Sequence, residues 1–291
     1  MVKRGTLRGG VSFGVFDVIT YIVIGLLVVI TLIPFLNILA ISMSGYDDKT
    51  LLFPRDFTLE AYAIMFSPRL YKSFLITVFI VIVSTVLHIL VCLLTAFPLS
   101  RKYLPYRRFF LIFILITMLF GGGMVPYYLI INSLGMVDNL LVFIIPGLAS
   151  GYNILLMKNF LLQVPESLED AARIDGAGYF RILFKIFLPL SMPIIATLAL
   201  FFGVGKWNDW FTAILFIHDN TQLYPIQNVL RMMVIDGNYG TIGGGMNIPD
   251  VSLTSAIKMA VIVIATVPIV CVYPFLQKYF VKGIFMGSVK E

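Results

Sequence analysis

The chain has 291 residues, 59% of them hydrophobic and 12% charged, with a formal net charge of +6 and a mean hydropathy of +0.97. A soluble domain of this size has too little interior to hide so much apolar surface, so the composition excludes a soluble globular protein and points to an integral membrane protein. The basic total does not argue for nucleic acid. Cys92 and Cys271 both lie inside apolar runs, which leaves no disulfide scaffold and reads as small packing residues.

Apolar stretches of spanning length fall at roughly 16–43, 73–98, 108–131, 139–161, 186–217 and 254–280. At about 20 residues per crossing, that predicts six transmembrane helices. None shows the alternation of barrel strands, so the expected fold is all-α. Lys3, Arg4 and Arg8 precede the first stretch. It is too long for a signal-peptide core and lacks a small-residue cleavage site, so it reads as an uncleaved first span. With the N-terminus inside, fourteen Lys and Arg residues fall on cytoplasmic segments and five on outer ones. The positive-inside bias therefore places both termini in the cytoplasm.

The first outer loop, about 44–72, carries Asp47, Asp48, Asp56 and Glu60. Residues 56–62 read as a short helix near the outer interface, either a connector or a docking element. The inner loop Ser100–Arg108 is short and basic, suited to lipid headgroups or to a partner subunit. Gly121-Gly122-Gly123 permits a break or close helix packing near the outer end of the third stretch. The outer loop 218–253 is long and glycine-rich, as functional loops often are. The tail from Gln277 onward is small and basic. His88 and His218 form no cluster with the two cysteines, so no metal site is expected.

Within the fifth stretch stands Gly203-Val204-Gly205-Lys206-Trp207-Asn208-Asp209-Trp210. It is not a phosphate loop, because the first glycine of that motif would fall on Leu200, and Trp207 stands where Ser or Thr must bind the metal. Charged residues inside a span are costly and face a cavity or each other. Lys206 and Asp209 are three apart, a spacing that lets them pair on one helix face; Trp207 and Trp210 are also three apart. Two readings stand: a structural ion pair with interfacial tryptophans, or a path-facing patch in which Lys206, Trp207, Asn208, Asp209 and Trp210 meet sugar rings and hydroxyls.

The most informative stretch is polar and lies between two apolar segments: Ser167-Leu168-Glu169-Asp170-Ala171-Ala172-Arg173-Ile174-Asp175-Gly176-Ala177-Gly178. Ser167 is a good N-cap, early acids suit the helix dipole, and Gly176 with Gly178 ends the helix. About two turns of helix are too short to be stable alone and need tertiary support or a partner. The charge bias puts this helix on the cytoplasmic side.

Asp170-Ala171-Ala172, Gly176 and Ile186-Phe187-Leu188-Pro189 have the spacing of a known signature. The stretch resembles the EAA loop of permease subunits in binding-protein-dependent ABC importers. It departs in having Asp170 at the usual Glu position, with Glu169 one place earlier. The resemblance covers most of the chain and is clearest from about residue 70 to the end. Through Gly122–Tyr127, the Asp175-Gly176-Ala177 step, Trp207–Trp210, Tyr224–Gln227 with Leu230-Arg231, and the tail residues Lys282-Gly283 and Gly287–Lys290, it is similar to the carbohydrate branch, the second permease of maltose-type or lipooligosaccharide-type systems.

The resemblance implies a type I ABC importer transmembrane domain in a bacterial cell (inner) membrane. Residues 1–70 would form an N-terminal segment, first span and outer loop; 71–281 the transmembrane core with a coupling loop at 163–189; and 282–291 a cytoplasmic tail. It implies a heterodimer with a second homologous permease, two ATPase subunits beneath and an extracytoplasmic solute-binding protein above. Glu169, Asp170, Ala171, Ala172, Arg173, Asp175 and Gly176 would form the ATPase-coupling element. The chain would itself be no enzyme and bind no cofactor, with ATP and Mg held by the partner ATPase. The implied cargo is a sugar or oligosaccharide, an acidic uronate type being suited to Lys206 or Arg231. A secondary transporter driven by ions, or an importer for a non-sugar solute, is the alternative.

Overall fold

The computed structural model describes residues 15–45, 52–54, 56–65, 68–235 and 251–288. Lys3, Arg4, Arg8, Asp47, Asp48, the glycines of the outer loop from Gly237 to Gly245, and residues 289–291 lie outside the described residues. Among the described residues the architecture is helical, with a single isolated antiparallel bridge between Ser44 and Phe57. The expected all-α class holds. The chain divides into two compact units, Met1–Ala63 with Ile248–Val263, and Ile64–Asn247 with Ile264–Glu291.

In the first unit, α1 (Val15–Ser42) is apolar on every side and exposes most of its large hydrophobic side chains. At about 1.5 Å per residue it exceeds a hydrocarbon core about 30 Å thick, which fits a lipid-facing span. Its end is held by Gly45 N–H donating to Asp56 O (3.1 Å) and Thr58 N–H donating to Met43 O (2.9 Å). The Ser42 and Tyr62 hydroxyls add a contact of 2.7 Å. The predicted helix over 56–62 begins later, as α2 (Glu60–Met65), because residues 56 and 57 pair with the end of α1 instead.

The second unit is built on α3 (Pro68–Ser100). Its buried positions include Ser73, Thr77, Ile80, Ser84, His88, Cys92 and Ala96, a helical-period stripe of small and polar residues. Such a stripe lets neighbouring helices approach closely in a membrane, where apolar contact alone gives no preference for protein over lipid. Helices α7 (Gly151–Leu161) and α11 (Met192–Trp207) pack along it.

Three of the six expected spans are not single helices. The third is α4 (Arg107–Leu119) and α5 (Met124–Ser133), bent by 112°. The triple glycine lies at the bend, with Gly123 at φ +83°. The fourth is helical only over α6 (Leu141–Ile144) and α7, interrupted by Pro146 and by Gly147 at φ +82°. The fifth splits between Tyr179–Leu190 and α11, bent by 78° at Ser191. There α8 (Glu166–Ile174) and α9 (Tyr179–Ile182) are followed by one π-helical turn, Leu183–Phe187, and by α10 (Leu188–Leu190). Pro189 and Pro193 cannot donate to the helical ladder, which is why it shifts and breaks here. Beyond α11 come α12 (Phe211–Phe216), a 3₁₀ turn at Thr221–Leu223, α13 (Ile226–Val234) and α14 (Val251–Ser288). Of the described helices, α1, α3 and α14 are long and apolar enough to cross a membrane unaided.

Gly151 of α7 lies against α4 with no room for a side chain. A Cβ there would lie 2.7 Å from Met118 Cγ and 3.1 Å from Ile114 Cγ2. Gly151→Val is expected to force the two helices apart at a cost of about 1–3 kcal/mol, read as a lower thermal unfolding midpoint of the purified protein.

Candidate functional site

Two places concentrate polar chemistry: α8 and its surroundings, and a cavity beside the end of α11. Helix α8 begins at Glu166 with Pro165 at the N-cap position and no side-chain cap. The expectation that Ser167 caps it is therefore corrected: Pro165 has a fixed φ suited to the entry, so the helix starts one residue before Ser167. The C-terminal expectation holds. Gly176 is at φ +75°. Its N–H donates to Arg173 O (3.0 Å), and the Ala177 N–H donates to Ala172 O (2.9 Å). This is a Schellman closure, with Ala172 and Ala177 packed in one apolar cluster.

The two sides of α8 differ sharply. Asp170, Ala171, Arg173, Ile174, Asp175 and Gly176 are exposed, Ile174 at 86%. Ala172 and Glu169 are buried. Glu169 points into the protein. Its Oε2 lies 3.1 Å from Arg101 Nη1. Its Oε1 accepts from the Tyr103 hydroxyl (2.8 Å) and from Arg173 Nη2 (2.7 Å). Burial pushes the Tyr103 phenol up to about 12, and the bond to Glu169 adds to the shift, so Tyr103 stays protonated and donating. The Arg101 guanidinium is wedged between the Phe97 ring (5.0 Å) and the Phe187 ring (4.3 Å). Arg107 Nε donates to Leu99 O (2.7 Å), which closes the loop between α3 and α4. Glu169 and Ala172 thus part company with the other residues expected to form a partner-facing element.

The second place is a cavity of about 290 Å³ lined by Asn153, Phe201, Phe202, Gly205, Lys206 and Asp209. Lys206 Nζ donates to Phe143 O (2.7 Å), and a longer contact of 3.5 Å reaches Pro146 O. An ammonium carries three donors. The expected Lys206–Asp209 pair does not form, because α11 ends at Trp207 and the two residues do not share a helix face. Asp209 instead binds the first turn of α12, accepting from Thr212 N–H (3.1 Å) and the Thr212 hydroxyl (2.7 Å). The tryptophans part for the same reason. Trp207 is buried, its Nε1–H donating to Ala265 O (2.9 Å). Trp210 is partly exposed beneath the Arg231 guanidinium, 4.2 Å from its ring centroid. Asn208 Oδ1 accepts from Gln227 Nε2 at 3.2 Å.

Two residues, Asn153 lining this cavity and His88 behind its wall, were not expected from the sequence. His88, fully buried on α3, stacks on Phe202 with centroids 3.9 Å apart. Its Nδ1 lies 2.7 Å from Leu148 O, which can only accept, so Nδ1 carries the proton. Its Nε2 then accepts from Asn153 Nδ2 (2.8 Å), fixing the amide and leaving its oxygen for the cavity. A lone polar residue in each of two distant apolar runs carries little signal; only packing α7 on α3 joins them. Elsewhere, Asp138 Oδ1 accepts from the N–H groups of His218 (2.7 Å), Asp219 (3.0 Å) and Asn220 (3.2 Å). Desolvation would raise this carboxyl, but the three donors outweigh it and hold it below the usual aspartate value.

Residues 103–286 match the family model described as binding-protein-dependent transport system inner membrane component. The chain belongs to that family. This permease is 40% identical, over 94% of its own length and 98% of the relative's, to the polygalacturonan/rhamnogalacturonan transport system permease protein YtcP of Bacillus subtilis. It is 41% identical to protein LplC of the same organism over the whole of both chains. Its fold is similar, with a TM-score of 0.85 and 29% identity over 91% of this chain and 96% of the other, to a chain of a bacterial ABC transporter involved in the import of the acidic polysaccharide alginate. The permease is thus a membrane transport subunit with a type I ABC importer fold.

Proposed function

We propose that this permease forms one half of the translocation path of an ABC importer for an acidic oligosaccharide of the uronate type. The observation that carries the reading is the polar cavity held by Lys206, Asp209 and Asn153 among otherwise apolar helices. An intramembrane ammonium is costly unless it is used, and functional roles account for most such residues. One rotatable donor of Lys206 suits a sugar carboxylate; Asn153 and Asp209 suit hydroxyls. The relatives named for galacturonan and alginate support the same cargo class.

In this reading α8 lies in the cytoplasm, both termini are cytoplasmic, and a second permease completes the path. Two ATPase subunits bind ATP and Mg beneath, and a loaded binding protein docks outside. The permease performs no hydrolysis of its own. Asp170, Ala171, Arg173, Asp175 and Gly176, with the exposed Ile174, meet the ATPase. Asp170→Lys and Gly176→Val are each expected to reduce binding-protein-stimulated ATP hydrolysis at least tenfold while leaving membrane insertion intact. The first reverses a surface charge; the second places a β-branched residue at a positive φ.

The test is reconstitution with the candidate permease, ATPase and binding-protein partners in lipid, followed by ATP hydrolysis against binding proteins loaded with uronate or neutral oligosaccharides. Stimulation by the uronate-loaded protein supports the reading. Stimulation by neutral sugar alone overturns the cargo class, and failure to recruit any ATPase overturns the importer.

A further inference from the structure

We infer that the buried Arg101–Glu169 pair is the joint through which movement of α8 passes into α3 and the 179–190 segment, so that Glu169 is a positioning residue and not an ATPase contact. The inference rests on the coupling reading of α8.

A nine-residue helix cannot hold its own orientation. The Ala172 contact buries apolar surface, which resists separation but not rotation or sliding, because it is non-directional. Glu169 supplies direction. Both of its oxygens are engaged, one by Arg101 and the other by Tyr103 and Arg173. Arg101 in turn joins two further elements: it follows the last residue of α3 and its guanidinium lies against Phe97 of that helix, while its other ring contact is Phe187 of the π turn. Nε and Nη2 of Arg101 are buried with no hydrogen-bond partner among the described residues. Glu169 is therefore what aims the guanidinium. A displacement of α8 must carry Arg101 with it, and with Arg101 the ends of two apolar segments.

The test measures whether α8 and the α3–α4 loop move as one body. Spin labels are placed at Tyr106→Cys and Ser167→Cys, both exposed, in a Cys271→Ser background, Cys92 being buried. Their separation is measured in the assembled complex without nucleotide, with ATP and with trapped nucleotide. The expected result is one narrow distance in all three states. Adding Glu169→Gln, which removes the charge at constant volume, is expected to broaden that distance and lower stimulated ATP hydrolysis at least tenfold, with ATPase subunits still bound and basal hydrolysis retained. A distance that shifts with nucleotide while the Arg101–Glu169 clasp is unmodified overturns the joint while leaving the importer reading intact. So does Glu169→Gln with unchanged distance and unchanged stimulation. A native chain that recruits no ATPase overturns the importer reading itself. The distance in the native clasp decides the matter even where Glu169→Gln fails to assemble.

Discussion

Glu169→Leu is expected to destabilise the protein more than Arg101→Met, although each removes one half of the same ion pair. The two charges are equally buried, at 5% side-chain exposure each, but their remaining partners differ. Without Glu169, the Arg101 guanidinium stays among Phe97, Phe187 and the apolar cluster with no carboxylate within reach among the described residues. Stranding a buried charge in this way costs about 3–5 kcal/mol. Without Arg101, Glu169 keeps the Tyr103 hydroxyl and the Arg173 guanidinium, so the loss falls below that range. The double variant Arg101→Met with Glu169→Leu fills the site with apolar atoms and strands nothing, so it is expected to recover most of the stability lost by Glu169→Leu alone. Thermal unfolding midpoints of the purified protein should rank native and double variant above Arg101→Met, and Arg101→Met above Glu169→Leu. Equal loss in the two single variants would mean that the Tyr103 and Arg173 bonds contribute nothing once Arg101 is gone. The exposed Lys102–Glu166 pair, at 3.2 Å, should by contrast change stability by less than about 1 kcal/mol when broken.

The clasp shows where sequence reading succeeds and where it stops. The motif spacing located α8, and the glycine at position 176 located its end, because a positive φ after a helix has few solutions other than glycine. The spacing did not separate Glu169 from Asp170. Adjacent residues on a helix differ by about 100° in direction, and only the position of the supporting surface says which one turns inward. That surface includes Arg101, distant in sequence. The apolar stretches likewise coincide with helical segments, but hydropathy is blind to a bend: Gly121–Gly123, Pro146-Gly147 and Pro189 to Pro193 divide runs that are continuous in hydrophobicity. At the cavity, the i, i+3 argument for Lys206 with Asp209 assumed helix through both residues. Helix α11 stops at Trp207, so that periodicity ended before it could bring them onto one face. His88 and Asn153 could be joined only by the packing of α7 on α3.

Lys206→Met is expected to lower uptake of a uronate oligosaccharide about 10- to 100-fold, while uptake of a neutral oligosaccharide by the same vesicles changes little. A hydrogen bond to a charged group is worth about 1.5–3 kcal/mol, and the loss of that bond from Lys206 sets the expected range. Methionine keeps the length and apolar stem of lysine and removes only the charge and donors. The native amine also binds Phe143 O and contacts Pro146 O in the break between α6 and α7, so the substitution also loosens that segment, and this is why the neutral cargo is measured alongside. Loosening alone would reduce both cargoes together, because it alters the shape of the path irrespective of charge. Loss confined to the acidic cargo would mean that the ammonium reads the carboxylate. Parallel loss of both would make Lys206 a strut for the 143–146 backbone and leave Arg231, stacked on Trp210, as the next cation to test for reading the acidic group.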